Sequence, residues 1–291
     1  MYITDDTCRH EVTSWRLDDN AAMAEAPEHI APAGFTSHVV LLVDSSGSMR
    51  RDDVPGYESR TDAVYSCLRR EFLAPQLAAA GRGRLGQAVV SLITMNDQPT
   101  VRFQRVPVDE ALDDRLSALS CIAGRSHGNY LPALEAIKDL LQADKHQDVQ
   151  IVVMFLSDGA PSDHGKFNCK HGVPVWSDTG AFVNGRNELV SCGLDVRECR
   201  QEVKAEVGRQ CCQAVRDLGD TFGRDRFSLH TVGFGPATEE FQVLADMAAM
   251  LPRPSSFQKL GLAANRLSTV FSSLSSTLTT MRTEAAGSVQ I

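Results

Sequence analysis

Asp44, Ser46 and Ser48 occupy alternate positions of the run Asp44-Ser45-Ser46-Gly47-Ser48. One carboxylate and two hydroxyls on a tight turn offer only hard oxygen donors. Such a set suits Mg²⁺, or Mn²⁺ or Ca²⁺ in its place, because these cations prefer oxygen ligands and Mg²⁺ retains several of its waters. A second carboxylate, Asp158, closes the run Ile151-Val152-Val153-Met154-Phe155-Leu156-Ser157-Asp158-Gly159. Asp44 is preceded in the same way by Val39-Val40-Leu41-Leu42-Val43. Short, uninterrupted apolar runs rich in β-branched residues predict strands buried on both faces of a parallel sheet. In open α/β sheets ligands bind beyond the carboxyl ends of such strands, where both acidic residues would lie.

The elements that would position these groups alternate along the chain. Strands are expected at 88–93, 100–103, 149–156, 227–234 and 256–258. The pair 88–93 and 100–103 would be joined by the turn Asn96-Asp97-Gln98-Pro99 as an antiparallel edge. Helices are expected at 61–74, stopped or kinked by Pro75, and at 109–119, 131–141, 198–218, 238–250 and 262–281. Residues 1–34 read as an N-terminal extension, 35–286 as one domain, and 287–291 as a short tail. A long stretch without periodicity, 161–197, reads as an insertion into that domain, and connections of this length usually carry function or disorder.

With both acidic loops in view, the chain resembles the von Willebrand factor A domain and its metal-ion-dependent adhesion site. Asp44-Ser45-Ser46-Gly47-Ser48 is similar to that family's first metal motif, Leu156-Ser157-Asp158-Gly159 to its later acidic loop, and Leu229-His230-Thr231-Val232-Gly233-Phe234-Gly235 to its fifth strand. Phe257–Leu262 and Thr277–Glu284 also resemble segments of eukaryotic proteins with this domain. The resemblance implies a Rossmann-like three-layer fold, a mostly parallel sheet with one antiparallel edge strand, and helices on both faces. It implies a non-catalytic protein-interaction module, in which Asp44, Ser46, Ser48 and Asp158 hold the cation and a partner's Asp or Glu carboxylate completes its shell. A middle motif of the family supplies a Thr hydroxyl, and here Gly128 stands where that Thr would sit. Ser126 or Asn129 could reach in with a small loop shift, or water could fill the position.

Two other readings use the same residues. One is a metal-free scaffold that binds partners with the same face. The other is an α/β-hydrolase. Gly124-Arg125-Ser126-His127-Gly128 fits Gly-x-Ser-x-Gly, and Asp158 and His230 follow in hydrolase order. Against it, the residues before Gly124 make a poor strand and no Gly-rich oxyanion-hole sequence lies upstream.

With 43% hydrophobic residues in a chain of 291, a full core is expected. A net charge of −8 argues against nucleic acid as a partner. No apolar run reaches the length of a membrane span, and the acidic start of the sequence lacks a signal-like apolar core, so a cytoplasmic location is expected. The eight cysteines are scattered, unlike a small disulfide scaffold. Cys169, His171, Cys192 and Cys199 fall within or next to the long insertion. Their spacing matches no standard zinc pattern and no Cys-x-x-Cys occurs, so the expectation is free thiols in a loop pinned by Trp176, not a structural zinc.

Overall fold

The computed structural model describes residues 35–80, 88–175, 181–192 and 196–288. The N-terminal extension, Trp176 and the last three residues lie outside them. Five long strands and a short one form the central sheet: β1 (Ser37–Asp44), β2 (Ala88–Met95), β3 (Thr100–Pro107), β4 (Gln150–Ser157), then β7 (Phe227–Gly233) and β8 (Ser256–Lys259). Between β4 and β7 lies a separate hairpin, β5 (Ala181–Val183) with β6 (Leu189–Ser191). The sheet order is β3-β2-β1-β4-β7-β8, and every pairing is parallel except β2 with β3. The expected α/β three-layer fold with an antiparallel edge is the observed one.

Alternation along the strands builds the three layers. In β1, Val39, Leu41 and Val43 enter one core and Val40 and Leu42 the other. In β4, Val152, Met154 and Leu156 join the first core, while Ile151, Val153 and Phe155 join the second. Side chains on successive strand residues point to opposite faces, so a strand feeding two cores must be apolar at every position. This is why β1 and β4 read as unbroken apolar runs.

The first core is covered by α1 (Arg60–Cys67), α3 (Glu110–Ser120) and α7 (Ala264–Ser288). The second is covered by α4 (Tyr130–Leu140), α5 (Val196–Phe222) and α6 (Gln242–Ala249). Pro75 does not end the helix that begins at Arg60. The chain instead passes through a π-helical turn, Leu68–Leu73, into α2 (Ala74–Ala80). Proline has no N–H for the regular ladder and crowds the preceding turn, and a widened turn just before it absorbs both effects. The described parts of the 161–197 insertion hold local structure that its lack of periodicity does not predict. They contain a 3₁₀ turn, Asp163–Lys166, the β5–β6 hairpin, and Cys169, Val173 and Val175, which cluster with Cys199 of α5.

Candidate metal site at the ends of β1 and β4

The sheet reverses its direction of growth between β1 and β4: β2 and β3 lie on one side, β7 and β8 on the other. Side by side in register, Val43 against Leu156, these two strands end at Asp44 and Ser157. Such a switch point opens a crevice beyond the carboxyl ends of the strands. Asp44, Ser46, Ser48 and Asp158 all line the hollow found there, together with Ser126 and Gly128.

A chain of short hydrogen bonds ties these groups together. Ser46 donates its backbone N–H to Asp44 Oδ1 at 2.7 Å, and Ser157 donates its hydroxyl to Asp44 Oδ2 at 2.6 Å. The hydroxyls of Ser46 and Ser48 are 3.0 Å apart, and Ser48 donates to Asp158 Oδ1 at 2.9 Å. The far oxygen of Asp158 accepts from the Arg60 guanidinium at 2.7 Å. Arg60 also binds both oxygens of Asp53, at 2.8 and 2.5 Å, and that guanidinium holds the Asp53 carboxyl below its usual range.

Backbone contacts fix the loops. The N–H of Ser45 bonds to Met95 O, that of Gly47 to Ser126 O, and that of Arg125 to Ser45 O. The β1 loop and the 121–129 loop approach so closely that a Cβ at Gly124 would lie 2.2 Å from the Ser46 carbonyl oxygen, so this position has room only for glycine. Asp163 caps α4, accepting from the backbone N–H groups of Tyr130 and Leu131 at 2.6 and 3.1 Å. Tyr130 in turn donates its hydroxyl to Gly159 O at 2.6 Å. The start of α4 is thereby locked to the chain just beyond Asp158.

Burial and the neighbouring Asp158 carboxylate push the Asp44 carboxyl up to about 6, against the lowering effect of the Ser157 and Ser46 hydrogen bonds. Two carboxylates are therefore held in one crevice with hydroxyl oxygens between them, an arrangement that favours an added positive charge. These residues fit a hard divalent cation by donor type, by convergence and by charge.

Gly128 sits where the resemblance requires a hydroxyl. A Cβ there would lie 3.2 Å from Asp44 Oδ2, and its φ lies outside the left-handed region. Both proposed replacements are tied to Asp97. Ser126, at a φ of 63°, donates its hydroxyl to the Asp97 carboxylate, and Asn129 donates its amide to Asp97 at 3.1 Å. The carbonyl oxygen of Asn129 is buried without a hydrogen-bond partner.

The hydrolase constellation does not assemble. Ser126 is spent on Asp97, and Asp158 on Ser48 and Arg60. His230 lies in a different cavity with its Nδ1 2.9 Å from Ser256 Oγ. Its Nε2 is buried without a hydrogen-bond partner. Sequence reasoning missed Arg60, Ser157, Asp97, Tyr130 and Asp163. Ser157 and Asp97 stood in loops already singled out, without a role, and Arg60 is a cation in the first turn of α1, where the helix dipole disfavours positive charge.

A family model described as the von Willebrand factor type A domain matches residues 39–160, a stretch that includes all four candidate ligands. The architecture is that of this class. Among solved structures, the pilus adhesin SpaC from Lactobacillus rhamnosus GG aligns with a TM-score of 0.57 at 13% identity, over 86% of this chain and 31% of its own. The D319A mutant of the PilB minor pilin from Streptococcus sanguinis gives 0.56 at 14% identity, over 86% of this chain and 63% of its own. The chain thus spans under a third of the adhesin and less than two thirds of the pilin. At such identities these structures speak to the fold alone. No curated protein matches the sequence. Among the described residues, no helix is long and apolar enough to cross a membrane.

Proposed function

We propose that this domain is a non-catalytic protein-interaction module whose binding face is built around a divalent cation. Asp44, Ser46, Ser48 and Asp158 would hold Mg²⁺ or a similar ion. The observation that carries this reading is the convergence of those four oxygen-bearing side chains at the switch point, with Asp44 buried beside a second carboxylate. Bound there, the ion supplies Lewis acidity toward an outside oxygen ligand, which we take to be an Asp or Glu side chain of a partner protein. Two of the four donors are neutral hydroxyls, and Arg60 already balances part of the Asp158 charge. Both features leave attraction for an incoming carboxylate. Pro161, Ser162 and His164 line the same hollow, so the insertion after β4 would contribute to partner choice.

The direct test is calorimetry with Mg²⁺ or Mn²⁺. One site is expected in the wild type and none in Asp44→Ala. Identical titrations would remove Asp44 from the site, and absence of binding in both would leave the metal-free scaffold as the reading. Partner capture with and without a chelator then tests whether the ion serves recognition.

Gly128→Thr probes the missing hydroxyl. The backbone conformation admits a side chain, and the close contact falls on a carboxylate that can shift by a few tenths of an ångström. An added hydroxyl beside Asp44 should tighten cation binding by about tenfold, about 1.4 kcal/mol. Unchanged affinity at unchanged stability would show that position 128 is not at the ion.

A further inference from the structure

We infer that Cys169, His171, Cys192 and Cys199 form a structural zinc site, separate from the proposed cation site and independent of it. These residues come from three places, two within the insertion and one on the helix that follows it. Cys169 and His171 sit on a tight turn, where the Cys169 N–H bonds to Val173 O, the Gly172 N–H bonds to Cys169 O, and Gly172 takes a φ of 78°. Cys192 follows β6, and Cys199 lies in the first turn of α5. Their four donor atoms all lie within 4.8 Å of one another.

The individual distances match a tetrahedron. With Zn–S near 2.3 Å and Zn–N near 2.0–2.1 Å, tetrahedral geometry puts sulfurs roughly 3.7–3.8 Å apart and sulfur roughly 3.5–3.6 Å from nitrogen. The Cys169–Cys192 and Cys192–Cys199 sulfurs are 3.9 and 3.2 Å apart. His171 Nδ1 lies 3.9, 3.1 and 3.5 Å from the sulfurs of Cys169, Cys192 and Cys199. The values bracket the ideal ones, and neither of these sulfur separations approaches the 2.03–2.05 Å of a disulfide. A disulfide would also use only two of the four donors.

The chemistry and the need agree. Three thiolates and an imidazole form a soft set that selects zinc, and four protein ligands leave no open position, which marks a structural site. The amino end of α5 adds a partial positive charge beside the Cys199 sulfur. A zinc would anchor a weakly held hairpin. An isolated two-stranded ribbon is marginal in water. Among the described residues, the cluster beneath it buries Cys169, Val173, Val175 and Cys199, with Phe182 and Val190 of the hairpin packed on it part-buried. Val183 and Leu189 on the other face of the hairpin are exposed.

The test begins with metal analysis of the full chain purified under reducing conditions without added metal. A single zinc equivalent is expected, lost in Cys192→Ser and in Cys199→Ser and retained in Cys212→Ser, which alters a thiol of α5 outside the cluster. Because the first two variants could misfold, the wild-type chain stripped of zinc is also titrated with Co²⁺. It should give the intense visible bands of a tetrahedral site and thiolate-to-cobalt charge transfer. Zinc removal should abolish hydrogen-exchange protection in the hairpin, leaving the sheet protected. Retention of zinc by Cys192→Ser would overturn the assignment. So would a wild-type chain of native circular dichroism that neither carries zinc nor gives the cobalt spectrum, or a disulfide within the cluster. Asp44→Ala should lose Mg²⁺ and keep zinc, so the two sites can fail separately.

Discussion

Replacing Asp144 with alanine is expected to destabilise the fold by about 3–5 kcal/mol, a large share of the roughly 5–15 kcal/mol available to a domain. Asp144 is fully buried, 2.6 Å from His38 Nδ1 through one oxygen and 2.6 Å from the Arg105 guanidinium through the other. The second nitrogen of His38 lies 2.7 Å from the Ser91 hydroxyl, which also accepts the Arg105 backbone N–H at 2.8 Å. Arg105 is held at a φ of 50°, outside the usual range for a residue with a side chain. Losing the carboxylate would leave a mostly buried guanidinium and a buried imidazole without their partner, and removing one member of such a network costs more than the pair contributes. Ser91, His38 and Asp144 are connected like a nucleophile, base and orienting acid, but all three have no exposed surface and none lines the hollow at the strand ends. Their work is to pin β1 and β2 to the turn after α4. Urea denaturation should show the midpoint falling with little change in slope. The exposed pair Asp220–Arg224 is the control, and Asp220→Ala should hardly move the midpoint. A similar response from both variants would mean that the buried network is not the strut described.

The elements legible in the sequence were those whose signal is local. β1 and β4 announced themselves because strands buried on both faces must be apolar throughout, and the acidic residues ending them marked the crevice. Asp44, Ser46 and Ser48 converge because a single turn carries them, and Asp158 joins them because β4 lies beside β1 in parallel register. What could not be read was side-chain pairing across the chain. Arg60 and Asp158 are 98 residues apart and Ser157 and Asp44 are 113 apart, and no periodicity encodes such pairs. The cysteine cluster was obscured for a related reason. Spacing rules for zinc assume ligand pairs on one knuckle, and here only Cys169 and His171 share a turn while Cys192 and Cys199 arrive from a hairpin and a helix. The local clue was Cys169-Lys170-His171-Gly172, a two-ligand turn closed by a residue suited to positive φ.

Arg60→Met should couple the stability of the domain to its cation more strongly than any other single change. The guanidinium is 1% exposed and spans Asp53 and Asp158. Methionine keeps much of the apolar stem and removes the charge. Asp53 is partly exposed and can turn to water, whereas Asp158 is buried and cannot. Without divalent cation, the variant should therefore lose about 3–5 kcal/mol, the cost of stranding a buried charge. Saturating Mg²⁺ should restore much of this, because a cation among Asp44, Ser46, Ser48 and Asp158 returns positive charge to the same carboxylate, and a ligand that binds only the folded state stabilises it by mass action. The rise in Tm on adding Mg²⁺ is then expected to be larger in Arg60→Met than in the wild type. Adding Asp158→Asn to Arg60→Met should recover stability without metal and shrink the Mg²⁺ response, since the stranded charge is gone along with a ligand. Equal Tm shifts in the wild type and Arg60→Met would separate Arg60 from the ion and remove Asp158 as the group that connects them.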